Sequence, residues 1–244
     1  KYNMYPRGGT TQEDLVATGD SKFSIGIGHD CTENACVKLD EKCHVKYDVV
    51  DVPIGLKATD RFIMSLSHHA GLDVPDVIND ERGRLLDMIA DNSKYLYGKR
   101  VALFGDPDML VPLVEFLISM DMKPVYVVTG SDSKYFNEEM ARMLKDILGA
   151  KYMSGELADT FRLHQWIKQE GVDMIMGNTY AKYIARDENI PLIRIGFPIA
   201  DRPGHNFLPI TGYVGATNMV VKILDAFLDK QDRTCPEEKV EFQL

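Results

Sequence analysis

The sequence predicts an α/β protein whose second half folds as a Rossmann-like, doubly wound parallel sheet. Short apolar segments recur about every 20–25 residues through that half, with amphipathic segments between them, as in successive right-handed β-α-β units. The apolar segments are nearly continuous rather than alternating, which is typical of parallel strands that helices cover on both faces. Such a fold does not by itself assign a function.

The second half contains predicted strands and helices in alternation. The strands are apolar and partly β-branched, and the helices place apolar residues on one face. The predicted strands are Arg100–Gly105, Pro124–Thr129, Ala150–Met153, Asp173–Met176 and Pro191–Ile195. The first helix follows Asp106-Pro107-Asp108, the second carries Met140, Met143, Leu144, Ile147 and Leu148, the third spans Asp159–Gln169 and the last spans Tyr213–Asp229.

The first half is less regular. Its apolar spacing predicts a strand, a helix and a second strand, at Phe23–Gly28, Thr32–His44 and Tyr47–Val52. The chain starts abruptly at Lys1, without a charged and apolar leader, and soon reaches a predicted turn and helix cap at 8–11. Such a start is typical of a fragment of a longer protein.

Two predicted helices connect this unit to the large sheet. Thr59 is expected to cap a helix that ends near His68-His69, and Asp80 to begin another that reaches about Tyr97. We place the boundary at Gly98, where the long helix ends. We therefore expect the remainder of a preceding α/β domain with connecting helices at 1–98, the Rossmann-like domain at 99–230 and a C-terminal tail at 231–244.

The composition is that of an ordinary globular protein, with 45% hydrophobic and 27% charged residues. The net charge of −9 argues against nucleic acid and against an anionic membrane surface as partners, because phosphates are neutralised by clustered Lys and Arg. No apolar run approaches the roughly 20 residues that cross a bilayer. We therefore expect a water-soluble chain. The four cysteines are too few for a disulfide-stapled fold, so we expect the protein to be cytoplasmic.

The first strand–helix turn of the predicted sheet is where a phosphate-binding loop would lie. It reads Phe104-Gly105-Asp106-Pro107-Asp108, and two acidic residues there would repel a pyrophosphate. Neither a GxGxxG nor a Walker A pattern occurs in the chain. A nucleotide site is therefore disfavoured, and we expect Asp106 or Asp108 to stabilise a helix N-terminus instead.

Several cysteines and histidines are candidate metal ligands, but their spacing favours structural roles. Cys31, Cys36 and Cys43 lack the closely spaced pair of zinc and iron–sulfur motifs, so part-buried thiols are the favoured interpretation. The pair His68-His69 diverges around a helix and suits the dipole of its C-terminal end. His205 lies in a Pro/Gly loop after a strand, where α/β folds often place functional groups, but spacing assigns it no role.

Asp87 and Asp91 form the carboxylate pair best suited to a cation. Their spacing of four residues places both side chains on one helix face, opposite Leu85 and Ile89. Like charges at this spacing cost about 0.2–0.5 kcal/mol unless something offsets them. Arg84 or a hard cation such as Ca²⁺ would do so. Spacing alone favours a solvated helix face over a metal site.

Six strings of residues occur together and in one order along the chain. They are Tyr5–Glu13; Pro53–Leu56 with Thr59-Asp60; Glu81–Leu85 with Asp87, Met88 and Asp91; Gly98–Arg100 continuing to Gly105–Asp108; Gly177–Tyr180 with Lys182; and Pro191–Ile199 with Asp201-Arg202, Gly212-Tyr213 and Gly215-Ala216. Together they resemble the C-terminal half of the β subunit of the nitrogenase molybdenum–iron protein. They span nearly the whole chain, so the resemblance is specific.

The resemblance implies a cytoplasmic α₂β₂ enzyme that reduces dinitrogen with electrons from a separate, ATP-driven iron protein. It implies that the P-cluster is held by α and by upstream β residues, and that the iron–molybdenum cofactor lies in α. This segment would then carry no catalytic and no cofactor-binding residue. It would brace the cluster domain, pack against an α subunit and a second β subunit, and be inactive when isolated.

One metal site is carried over by the resemblance. Asp87 and Asp91 match the two aspartates that, in this family, help to bind a mononuclear Ca or Fe cation between two β subunits. The remaining ligands come from the partner chain, so the segment alone is expected to hold the ion weakly or not at all.

Two departures from the family pattern leave alternatives open. Pro203-Gly204-His205 stands where histidines often occur, and the stretch between Arg186-Asp187 and Pro191 is short. A cofactor-assembly scaffold of the same fold is one alternative, and a vanadium or iron-only nitrogenase β subunit is another. A free-standing small-molecule binder, using the cleft at the sheet edge, is a third.

Overall fold

The computed structural model describes residues 9–236 and places two parallel sheets in them. In chain order the strands are β1 (Ser24–Ile27), β2 (Tyr47–Val50), β3 (Arg100–Phe104), β4 (Lys123–Val128), β5 (Lys151–Met153), β6 (Met174–Gly177) and β7 (Leu192–Arg194). The α-helices are α1 (Gln12–Ala17), α2 (His29–Cys43), α3 (Gly55–Ala70), α4 (Asp76–Asp91), α5 (Ser93–Leu96), α6 (Pro107–Ser119), α7 (Lys134–Met143), α8 (Thr160–Glu170), α9 (Ala181–Asp187) and α10 (Gly212–Thr234).

The large sheet has the strand order β5-β4-β3-β6-β7, and every neighbouring pair is parallel. The chain therefore winds outward from β3 in both directions, first through β4 and β5 and then through β6 and β7. This order is that of a doubly wound sheet and confirms the predicted Rossmann-like fold. The ends of the predicted strands differ from the observed ones by no more than one residue.

Helices cover both faces of the large sheet. Alternate residues of β3 enter different hydrophobic clusters, Val101 and Leu103 on one face and Ala102 and Phe104 on the other. The first cluster is completed by residues of α6, α7 and α10, and the second by residues of α8 and α9. This two-sided burial explains why the strands are nearly continuously apolar.

The first half of the chain shares the core of the second. Ile54, Leu85 and Leu96 are almost completely buried and belong to the same cluster as the β3 residues. α3 and α4 thus pack onto the sheet layer through α6 and α10 instead of forming a separate core. The division of the chain into domains at residues 98 and 230 stays a prediction, and α10 continues to Thr234.

The small sheet has the predicted strand–helix–strand order. β1 and β2 pair in parallel, and α2 connects them. α2 begins at His29, three residues before the predicted start. Gly28 adopts a φ of +93°, a conformation that glycine reaches without strain, and turns the chain directly into the helix.

Two predicted helix starts in the first half are wrong. α3 begins at Gly55, so Thr59 lies inside the helix, where its hydroxyl donates to the Gly55 carbonyl oxygen at 2.6 Å. A threonine that bonds back along its own helix has the same sequence signature as a cap. α4 begins at Asp76 rather than Asp80, because the carbonyl oxygen of Pro75 already accepts the first hydrogen bonds of the helix.

The observed helices differ from the predicted ones in three further ways. The helix expected to reach Tyr97 is broken after Asp91, and α5 follows as a separate turn. α7 ends at Met143, and Leu148, expected on its apolar face, is 94% exposed in the turns that lead to β5. α9 was not predicted, because its seven residues are too few for a clear apolar period. No helix within residues 9–236 is long and apolar enough to span a bilayer.

Gly55→Ala is expected to lower the free energy of unfolding by about 1–3 kcal/mol more than Gly71→Ala. Both glycines have a positive φ, +81° and +65°, so alanine is strained at each. Only at Gly55 would the new Cβ also meet a side chain, 2.4 Å from Cγ of buried Phe116. Urea denaturation of the two variants measures the difference. Equal losses would show that α3 can move away from Phe116 at no cost.

Candidate functional site

The predicted carboxylate pair lies at the C-terminal end of α4. Asp87 and Asp91 are both exposed, and the last turn of the helix contains no basic residue. Carboxylates at the C-terminal end of a helix interact unfavourably with its dipole, and at this spacing they also repel each other. The Asn92 side-chain amide donates to the Met88 carbonyl oxygen at 2.9 Å and so closes the helix. The local charge arrangement at this end of α4 is therefore unfavourable.

No third carboxylate, cysteine or histidine of the described chain lies close enough to share a metal with this pair. Within residues 9–236, the one group of three or more carboxylate, cysteine or histidine ligands close enough to share a metal is Cys31, Asp106 and Asp108. Asp87 and Asp91 would therefore supply two of the six to eight oxygen ligands that Ca²⁺ takes. A complete shell at α4 would need further oxygen ligands beside these two carboxylates.

α4 is held in place by one buried side chain and one ion pair. Leu85 is completely buried in the main core. On the same helix, the Arg82 guanidinium donates to both carboxylate oxygens of Asp60 on α3, at 2.9 Å each. A two-bond contact of this kind fixes direction as well as distance. The two acids at the end of α4 therefore stand on a rigidly oriented helix.

Asp60 also binds α10, so three helices meet at one carboxylate. The Tyr213 hydroxyl donates to Asp60 Oδ1 at 2.6 Å, and Tyr213 is only 5% exposed. Burial, followed by this hydrogen bond, raises the pKa of Tyr213. The hydrogen bond to Asp60 also raises the pKa of Arg82. Asp60, Arg82 and Tyr213 come from three of the strings that carry the family resemblance.

A second carboxylate joins two of those strings near the edge of the large sheet, and one of the two is the string that also contains Tyr213. The Arg194 guanidinium donates to both oxygens of Asp201, with a closest approach of 2.8 Å. The Thr179 hydroxyl donates to the same carboxylate at 3.1 Å and accepts from the Ala200 N–H at 2.8 Å. These bonds, led by those from Arg194, hold the pKa of Asp201 at about 2.

The two aspartates of the first strand–helix turn stabilise two different helices. Asp106 is the N-cap of α6 and accepts from the Asp108 N–H at 3.1 Å. The buried Asp108 carboxylate instead accepts from the N–H groups of Asp30 and Cys31, at 3.0 and 2.9 Å, at the N-terminus of α2. The prediction of a helix-stabilising role is confirmed, and Asp108 occupies the position where an anion would otherwise bind.

The cysteines near this turn have the chemistry of protonated thiols. A hydrogen bond to Asp108, with burial and nearby acids, raises the pKa of Cys31 to about 11. Burial raises the pKa of Cys36 as well. A cluster ligand is a thiolate, which an electropositive environment favours. The acids around Cys31 and the burial of Cys36 therefore favour the thiol over the thiolate.

The adjacent rings of His68 and His69 meet edge to face, with centroids 4.7 Å apart, and His205 belongs to a different segment. His68 and His69 are in the last turn of α3, as predicted, and His69 lies 2.8 Å from an Asp48 carboxylate oxygen and stacks on Phe23. His205 lies in a 3₁₀ turn after β7, and burial lowers its pKa. The structure therefore does not combine these histidines with the aspartates of α4.

A polar cluster that sequence reasoning missed joins the small sheet to the large one. Asp51, 6% exposed, accepts from the Tyr135 hydroxyl and from the Arg61 guanidinium, both at 2.6 Å. Arg61 also donates to Glu115 at 2.7 Å, and the His29 ring stacks on Tyr135 with centroids 3.8 Å apart. These five residues come from five separate segments of the chain, so no local sequence pattern predicts the cluster. Its charges are paired internally, which suits a structural tie.

Comparisons with known proteins identify relatives along the whole chain. The family model of nitrogenase component 1 type oxidoreductases matches residues 1–228. A nitrogenase molybdenum-iron protein beta chain of Clostridium pasteurianum is 46% identical over 243 residues, which are 99% of this chain and 53% of that one. Its counterpart in Bradyrhizobium diazoefficiens is 39% identical over 237 residues, which are 95% of this chain and 45% of that one.

Solved structures give the same result. A chain of nitrogenase Cp1 at pH 6.5 superimposes with a TM-score of 0.94 at 46% identity, over 100% of this chain and 53% of that chain. A chain of nitrogenase Cp1 at pH 5 gives a TM-score of 0.64 at 13% identity, over 91% of this chain and 50% of that chain, and so shares the fold alone. The chain spans about half the length of these relatives.

Tyr213→Phe is expected to lower the free energy of unfolding by about 1.5–3 kcal/mol, the usual value of a hydrogen bond to a charged group. The variant removes the hydroxyl that links α10 to Asp60 and leaves the buried ring in place. Tyr97→Phe is the matched control, since Tyr97 is 75% exposed. Chemical denaturation measures both changes. A loss at Tyr213 no larger than at Tyr97 would contradict the assigned link.

Asp201→Asn is expected to destabilise the protein at neutral pH, with a deficit that shrinks in acid. The folded-state pKa of Asp201 is about 2, against 3.8 for a free carboxyl. Its stabilisation is therefore complete above 3.8 and is lost as the pH falls through that window. Denaturation curves at a series of pH values, with the exposed Asp187→Asn as control, measure the deficit. A deficit independent of pH would contradict the assignment.

Proposed function

Because this chain belongs to the family of nitrogenase component 1 type oxidoreductases, we propose that it serves as the C-terminal segment of a molybdenum–iron protein β subunit. The observation that carries the proposal is the 46% identity over 99% of the chain to such a beta chain, together with a TM-score of 0.94. The proposed whole protein is a cytoplasmic α₂β₂ complex that reduces dinitrogen to ammonia with ATP-driven electron delivery from an iron protein.

The proposed role of this segment is structural. A P-cluster would supply electron transfer and an iron–molybdenum cofactor the reduction of substrate, both held by residues outside this chain. The raised pKa values of Cys31 and Cys36 support that division, because cluster ligands are thiolates. The hydrogen-bonded carboxylates Asp60, Asp108 and Asp201 would keep the segment rigid, so that it braces the part of the subunit that holds the cluster.

Asp87 and Asp91 are the proposed metal ligands of the segment. A Ca²⁺ or iron cation shared with a second β subunit would offset the repulsion between the two carboxylates and their unfavourable position in the dipole of α4. Both side chains are exposed on a helix that Arg82 and Leu85 hold in place. That arrangement suits a contact between subunits better than a site within one chain.

The main alternative is a non-catalytic scaffold of the same fold, on which a cofactor is assembled and then transferred. A vanadium or iron-only nitrogenase β subunit is the second. The relatives named above are molybdenum–iron protein beta chains, which favours the first proposal over both. The residues upstream of this segment distinguish the subunit from the scaffold, because the former carries the P-cluster cysteines.

Native mass and metal analysis of the full-length protein, purified anaerobically from its host, tests the proposed function. An α₂β₂ mass with molybdenum and about 30 iron atoms is expected from clusters of this type. A lighter complex with less iron and no mature cofactor would favour the scaffold. A metal-free monomer would exclude both.

The double variant Asp87→Asn/Asp91→Asn is expected to lose the interface cation and to weaken association of the two β subunits. The matched control is Asp225→Asn/Asp229→Asn, which removes two exposed acids at the same spacing from α10. Metal content and native mass of the purified complexes measure the two effects. If both double variants keep the cation and the tetramer alike, α4 does not hold a metal.

A further inference from the structure

A cleft of about 480 Å³ lies beside β7, at the edge of the large sheet. It is bounded by β7, by the loop from Arg202 to Leu208, and by the outer face of α10. Its size is within the range of small-molecule sites. The apolar part of its wall consists of Leu192, Ile193, Leu208 and Ala226.

Positive charge collects at one end of this cleft. Arg194 and Arg202 share a single carboxylate, Asp201, so one positive charge remains between them. Lys222 lines the same cleft, and no carboxylate among residues 9–236 lies within ion-pair distance of its ammonium group. The half-buried His205 faces Lys222 and Arg194. Cationic groups that are partly removed from water and unpaired are costly to keep together.

The pKa values of Lys222 and His205 are both lowered, as expected for cationic groups that are partly removed from water. Burial lowers the pKa of Lys222. Burial, followed by the positive charges of Lys222 and Arg194, lowers the pKa of His205. A bound anion would reverse both effects, because an opposite charge nearby favours the protonated form.

Two acids also line the cleft, and Asp229 is the farther of the two from Lys222. Asp225 and Asp229 follow Lys222 along α10 by three and seven residues, which places them about 4.5 and 10.5 Å further along the helix axis. An anionic head would therefore lie beside Lys222 and away from Asp229. The apolar wall runs between the two ends and would contact the uncharged part of a ligand.

We propose that this cleft binds a small organic anion, with its carboxylate or phosphate head beside Lys222, His205 and Arg202 and its apolar body against Leu192 and Leu208. The site is separate from the α4 carboxylates and does not depend on the role proposed for the whole protein. The head group and the body are recognised by different parts of the cleft, so each part is testable by itself.

Calorimetric titration of the full-length protein in its complex tests the site, at constant ionic strength. Phenyl phosphate and benzoate are the anionic probes, and benzyl alcohol is the uncharged one. At least one anion is expected to bind, and the better of the two identifies the head group. Lys222→Met is expected to weaken its binding by about tenfold or more, since one charged contact is lost.

Lys230→Met is the matched control, because Lys230 is on the same helix but does not line the cleft. Its affinity for the anion is expected to stay within about twofold of the unchanged protein. Asp225→Asn/Asp229→Asn is expected to strengthen binding. The proposal is overturned if neither anion binds, if benzyl alcohol binds as well as the anions, or if the two lysine variants behave alike.

Discussion

The carboxylate of Asp60 is the contact on which the arrangement of the outer helices depends. It accepts from Arg82 of α4 and from Tyr213 of α10 while it stands on α3, so one side chain links three helices. Its partners are 22 and 153 residues away along the chain. α10 packs on the large sheet, so the same contact attaches the first half of the chain to the core of the second.

The strings that carry the family resemblance are therefore largely structural in this chain. Asp60, Arg82 and Tyr213 form one hydrogen-bonded group, Thr179, Arg194 and Asp201 form another, and Asp108 binds the N-terminus of α2. In each case a charged group is held by two or more hydrogen bonds. Removing a partner of such a group lowers the free energy of unfolding by more than the loss of a neutral hydrogen bond does. Asp87 and Asp91 also belong to one of these strings, but unlike the carboxylates above they are exposed.

The sequence was sufficient to predict the large sheet and insufficient to predict the contacts that orient its surroundings. A strand that is buried on both faces is apolar along its length, and this pattern is visible in the sequence. The ends of each strand of the large sheet were therefore predicted to within one residue. The starts of α3 and α4 were mistaken because Thr59 and Asp80 resemble caps, although Gly55 and Asp76 begin the helices. The Asp51 cluster and the bond from Asp108 to α2 join distant segments, so neither has a local pattern.

For the two carboxylates of α4, the family resemblance predicts a metal site that their spacing alone does not. Spacing placed both acids on one face and favoured a solvated surface, and the structure adds only that the helix beneath them is rigid. An oriented helix with two exposed carboxylates suits the contact between subunits that we propose for α4.

We propose that this segment supports the enzyme without taking part in its chemistry. Asp60→Asn in the full-length complex tests that role, because the change weakens the contact among α3, α4 and α10 and touches no proposed metal ligand. The yield of assembled complex is expected to fall, while dinitrogen reduction per assembled complex stays unchanged. A normal yield with reduced activity per complex would contradict the claim.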